Sequence, residues 1–129
     1  MSTSQRLLRV LVVDDNADQA IGLSALLKRY GYESHVCVDA QECVASVEQL
    51  RPDVVLLDIA MPGKTGYDIA DEIKSNPELR RVRLVAVTGH GMPLDRLQSS
   101  MLGFDQHLLK PVIFEDLEAV LKSVQDREE

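Results

Sequence analysis

At 129 residues the chain is of single-domain size, and 45% hydrophobic with 27% charged residues is the balance of a soluble globular protein. No apolar run approaches the roughly 20 residues of a membrane span. A net charge of −7 argues against a nucleic-acid surface, and the stretch from Met1 to Arg6 lacks the basic-then-apolar order of a secretory signal. The expectation is one cytoplasmic domain over residues 1–129, with its core between about 9 and 124, touching neither membrane nor DNA.

Apolar runs alternate with amphipathic stretches along the whole chain. A first strand is expected near Leu8–Val13, ending at Asp14-Asp15. Asn16 then caps a helix whose apolar positions Ala20, Leu23, Leu27 and Tyr30 keep helical spacing, and Gly31 stops it. A second strand, Glu33–Val38, leads to Asp39 and Glu42, spaced as a capping box for a helix that turns Ala40, Cys43, Val44 and Val47 inward. Cys37 and Cys43 fit no redox or zinc spacing and read as small core residues.

The third strand, Asp53–Leu57, is followed by Asp58. A loop, Met61-Pro62-Gly63-Lys64-Thr65-Gly66, precedes a helix from about Gly66 to Ser75 built on Ile69, Ala70 and Ile73 and ended by Asn76-Pro77. Arg80, Arg81 and Arg83 form a basic cluster, read as a solvated loop before the fourth strand, Arg83–Thr88. A fourth helix is expected after Pro93, with Leu94, Leu97 and Met101 on one side and Gly103 as its stop. A fifth strand, Phe104–Leu109, ends at Lys110-Pro111, and a last helix presents Ile113, Leu117, Val120, Leu121 and Val124.

β-Branched-rich strands separated by helix-length stretches read as a parallel sheet in a βα repeat. The strands of such a sheet share one carboxyl edge, where open α/β sheets bind ligands. Asp14, Asp15, Asp58, Thr88 and Lys110 all stand at that edge. Neighbouring carboxylates repel one another unless a cation lies among them, so this crevice calls for a divalent metal.

The motifs Val12-Val13-Asp14-Asp15-Asn16, Leu56-Leu57-Asp58-Ile59-Ala60-Met61-Pro62-Gly63, Gly66, Val87-Thr88-Gly89 and Leu108-Leu109-Lys110-Pro111 stand in this order at strand ends. Together they resemble the receiver domain of two-component response regulators, from about Arg9 to Val124. The resemblance implies a single doubly wound (βα)5 flavodoxin-like domain with a parallel five-stranded sheet of order 2-1-3-4-5. It implies that Asp58 accepts a phosphoryl group from a sensor histidine kinase or histidine phosphotransfer protein. It also implies Mg²⁺ held by Asp14, Asp15, Asp58 and the Ala60 carbonyl, with Asp14 acting mainly through water. Lys110 and Thr88 would contact the phosphoryl oxygens, and the Lys110-Pro111 bond would be cis.

Where the family often has an aromatic switch residue coupled to the threonine, this chain has His107, as receivers associated with hybrid histidine kinases frequently do. A structural, hydrogen-bonded histidine is the other reading of that position. His90, two residues after Thr88, reads as a loop residue or as a neighbour of the phosphoryl group. The implied output is an unidentified effector protein bound by the face of the fourth helix, fifth strand and fifth helix. The chain would then be a signalling phosphoacceptor, catalysing only its own phosphorylation and dephosphorylation. A phosphohydrolase would carry Asp-x-Asp at the first strand, which Asp14-Asp15-Asn16 does not. A phosphorylation-independent module usually loses the acids or the lysine, which this chain keeps.

Overall fold

The computed structural model describes residues 8–61, 64–89 and 103–126. Its elements run β1 (Arg9–Val13), α1 (Ala17–Arg29), β2 (Glu33–Cys37), α2 (Cys43–Leu50), β3 (Val54–Asp58), α3 (Gly66–Ser75), β4 (Arg83–Thr88), β5 (Phe104–Leu109) and α4 (Phe114–Asp126). Single 3-10 turns lie at Ala40–Glu42 and Pro77–Leu79. The strands form one parallel sheet of order β2-β1-β3-β4-β5, as the resemblance implied. The helix expected after Pro93, with Leu94, Leu97 and Met101, lies outside the described residues, as do His90 and the Pro62-Gly63 portion of the loop after β3.

Strand alternation divides the core between two faces. Leu11, Val55, Leu57 and Ala86 join α2 and α3 through Cys43, Val47, Ile69 and Ile73. Val12, Leu56, Val85 and Val87 join α1 and α4 through Ala20, Leu27, Leu117 and Leu121. With helices on both sides, every residue of β3 is buried, and its sequence is apolar until Asp58.

Local chemistry sets the helix ends. The Asn16 side chain accepts the Gln19 N–H at 3.1 Å, as expected for a cap, and Gly31 takes φ +91°, which suits the chain reversal after α1. Tyr30, expected inward, instead caps the C-terminus of α1, is largely exposed and stacks on Phe114 with ring centroids 4.0 Å apart. Ile113, also expected inward, precedes α4 and is likewise exposed. The anticipated Asp39–Glu42 capping box does not form. Asp39 Oδ1 accepts the Gln41 N–H at 2.9 Å, which tightens the chain into a 3-10 turn and delays α2 until Cys43. A capping box does form at α3, between Thr65 and Asp68.

β5 departs from regular pairing. Leu84 faces Phe104 while Val85 faces Gln106, so Asp105 is bulged, and its Oδ2 accepts the Leu84 N–H at 3.1 Å. The bulge brings Phe104 and His107, three residues apart, to within 6.5 Å ring to ring.

Candidate acidic site at the strand ends

β1 and β3 are neighbours at the point where strand order reverses, so Asp14 and Asp58 leave the sheet side by side. Both continue the alternation of the α1 and α4 face, and both are buried, at 7% and 6% exposure. Each carboxylate is partly satisfied by backbone. Asp14 Oδ1 accepts the Asn16 N–H at 2.9 Å, and Asp58 Oδ1 accepts the Ala60 N–H at 3.1 Å.

The remaining oxygens face Lys110. Its ammonium lies 3.0 Å from Asp14 Oδ2 and 3.4 Å from Asp58 Oδ2. Lys110 is delivered there by β5 through backbone pairing, since its N–H donates to the Thr88 carbonyl at 2.7 Å. The bond to Pro111 is cis. Burial, followed by the nearby charge of Asp14, raises the Asp58 carboxyl above the ordinary range, despite opposition from the Ala60 N–H and Lys110. Burial works against the Lys110 charge, but hydrogen bonding to Asp14 and the charge of Asp58 prevail and hold that ammonium above its usual value.

Asp15 differs from the other two acids in being exposed, so it faces solvent at the mouth of the crevice. Even so, Asp14, Asp15 and Asp58 each offer a carboxylate oxygen within 4.8 Å of the others. This acidic cluster can bind a metal ion, and an all-oxygen donor set suits a hard divalent cation. Behind it lies a cavity of about 330 Å³ between α1 and the sheet, walled by Val12, Gly22, Leu23 and Leu56 and closed at its polar end by Asp14, Asp58 and Lys110.

The structure thus brings Asp14, Asp15, Asp58 and Lys110 together, with the Ala60 peptide against Asp58. Thr88 is buried one residue beyond Val87, the register partner of Asp58, and alternation directs its side chain toward the face of α3. His107 pairs with Ala86 on that same face, two register positions from Thr88 and away from the acids.

A sequence model of the response regulator receiver domain matches residues 10–122. The chain belongs to this family. As a receiver domain of two-component signalling, it is similar to Protein PilH of Pseudomonas aeruginosa, 31% identical over 116 residues that cover 90% of this chain and 93% of PilH. It is also similar to the DNA-binding response regulator MtrA of Mycobacterium leprae, 34% identical over 103 residues, 80% of this chain and 44% of MtrA. The receiver thus spans nearly all of one relative and less than half of the other. Among solved structures, a response regulator receiver domain protein from Clostridium thermocellum superposes with a TM-score of 0.86 at 27% identity, covering 95% of this chain and 97% of that one. The Vibrio cholerae chemotaxis protein CheY4 superposes with a TM-score of 0.84 at 26% identity, covering 92% and 99%. Among the described residues no helix is long and apolar enough to cross a membrane.

Proposed function

We propose that this receiver is a phosphoacceptor switch in which Asp58 is phosphorylated. The observation that carries the reading is the convergence of Asp14, Asp15 and Asp58 within 4.8 Å, with the Lys110 ammonium against two of them. The donor is phosphohistidine on a sensor histidine kinase or histidine phosphotransfer protein. A carboxylate oxygen of Asp58 attacks phosphorus, the P–N bond breaks, and the departing imidazole takes up a proton, leaving an acyl phosphate.

Attack sets an anion against an anion, so the pocket must supply positive charge. Asp14, Asp15, Asp58 and the Ala60 carbonyl would hold Mg²⁺, which when bound neutralises and orients phosphoryl oxygens. Lys110 is already within reach of Asp58 and can move from carboxylate to phosphoryl oxygen as charge passes across. Thr88 donates its hydroxyl to another phosphoryl oxygen and, with His107, carries the change toward the output face. Phosphorylation adds about −1.5 to −2 charges, enough to rearrange loops that the unmodified acids hold. Output is the binding of an effector protein in the cytoplasm, without direct contact to nucleic acid or membrane.

Incubation with Mg²⁺ and acetyl phosphate tests this. The chain should gain one acid-stable, base-labile phosphoryl group, and Asp58→Asn should gain none. Labelling that survives the substitution would refute the assignment, and chelation should stop labelling without unfolding the domain.

A further inference from the structure

The cavity behind the acids has a part that phosphoryl transfer does not use. A divalent metal and a phosphoryl group are matters of oxygen ligands and charge, and need the polar end at Asp14, Asp58 and Lys110. The remainder is apolar. Val12 of β1, Leu56 of β3 and Val87 of β4 line it from the sheet, Leu23 and Leu26 from α1, and Val112 from the segment that joins β5 to α4. Water against such walls finds few hydrogen-bond partners, so an apolar group that replaces it gains affinity.

Size and charge narrow the occupant. A cavity of roughly 150 Å³ admits benzene, and ligand pockets begin at about 300 Å³. At about 330 Å³ this one suits a single ring on a short chain. At its polar end, among the described residues, three carboxylates stand against one ammonium, and Lys110 pairs with two of the three. A further anion is repelled there unless a metal accompanies it, whereas a second cation improves the balance.

We propose that this cavity binds a small amphipathic ammonium compound, with its charged head at the carboxylates of Asp14 and Asp58 and its apolar body between α1 and the sheet. The head draws on the same carboxylates as a divalent metal, so the two compete. Linkage makes the antagonism reciprocal: the factor by which Mg²⁺ weakens the ammonium compound is the factor by which that compound weakens Mg²⁺. The compound thereby holds the receiver in its unphosphorylated state, a consequence that rests on the proposed role of Asp58.

The test titrates the full chain, free of metal, with phenethylamine and follows NMR shifts. Saturable shifts are expected at Leu23, Leu56 and Val112. 2-Phenylethanol, with the same ring and chain but no charge, should bind at least about tenfold more weakly, and 3-phenylpropionate should not saturate. Mg²⁺ should raise the apparent Kd of phenethylamine, and phenethylamine should slow labelling by acetyl phosphate until excess Mg²⁺ restores it. Gly22 lines the cavity, and nothing lies within 4 Å of a Cβ placed there, so a leucine has room to enter. Leucine also favours a helix, so Gly22→Leu should fold, lose phenethylamine binding and still accept phosphate at Asp58. Absence of saturable shifts in the cavity, equal or tighter binding of the alcohol or the carboxylate, affinity unmoved by Mg²⁺, or full binding by Gly22→Leu would each overturn the proposal. The shifts are read on the unphosphorylated chain. A chain that takes no phosphate even without the probe therefore refutes the Asp58 assignment, while the titration still decides the cavity.

Discussion

A methyl group added to Gly66 would lie 2.8 Å from both Cα and Cδ1 of Ile59 and 3.0 Å from the Asp58 carbonyl oxygen. The first residue of α3 therefore leans on the peptide that follows the proposed phosphoacceptor, and its N–H donates to the Ile59 carbonyl at 3.1 Å. Alanine ordinarily favours a helix over glycine. Here the obstructing atoms are largely backbone and cannot rotate away. Gly66→Ala should cost about 1–3 kcal/mol in urea unfolding and slow phosphoryl acceptance at Asp58. An unchanged midpoint would mean that α3 shifts freely against β3.

The raised Asp58 pKa makes a claim about pH. A carboxyl whose folded pKa exceeds its unfolded one binds its proton more tightly when folded. Its ionisation therefore costs stability as pH rises from the ordinary 3.8 through the raised folded value. Lys110 behaves oppositely at the alkaline end. Its stabilising charge is fully present below 10.5 and is lost as pH climbs past its raised value. Without divalent metal, Asp58→Asn should be more stable than the native chain at neutral pH, and the difference should vanish below 3.8. Urea melts at both pH values check this; a less stable variant at neutral pH would show that the Lys110 contact outweighs burial.

The metal prediction separates Asp15 from Asp14. Asp15 is exposed and, within the described residues, contributes chiefly to the acidic cluster. Asp14 also receives Lys110 and the Asn16 N–H. Asp15→Ala should lose most Mg²⁺ affinity with little change in stability. Asp14→Ala should lose less affinity but about 1–3 kcal/mol of stability, because its donors are left buried with fewer acceptors. The chain has no tryptophan, so calorimetry is the suitable readout. Equal, undiminished affinity in both variants would remove the proposed site.

Thr88 and His107 share a sheet face two register positions apart, which makes them candidates for a relay. Phosphorylation should move NMR signals from residue 88 through residue 110. Thr88→Ala should leave Asp58 able to accept phosphate but weaken those shifts. His107→Ala should lower effector binding by the phosphorylated form more than it slows phosphorylation. Unmoved His107 signals would make that residue structural.

The strands and the acidic site were legible because each apolar run breaks at a polar residue, and only the carboxyl edge of a parallel sheet gathers such breaks. Strand order was less legible and came through the family resemblance, since alternation within a strand says nothing of its neighbours. Helix ends were misread where the spacing ran past the last turn of α1, at Tyr30, and began ahead of the first turn of α4, at Ile113. Asp39 and Glu42 had the spacing of a capping box, but a nearer donor, Gln41, won the Asp39 side chain. Thr65 and Asp68 carried the same kind of signal and form the box. The bulge at Asp105 had no signature, because a register slip depends on the partner strand.

Lys110 meets acids that lie 96 and 52 residues before it, and it follows directly on β5, which among the described strands pairs with β4 alone. A ribosome therefore produces the negative half of the crevice long before its positive half. In the finished domain, fraying of one marginal strand would withdraw the cation while the central strands stayed paired. The charge balance of the crevice lasts only as long as the outermost strand stays closed.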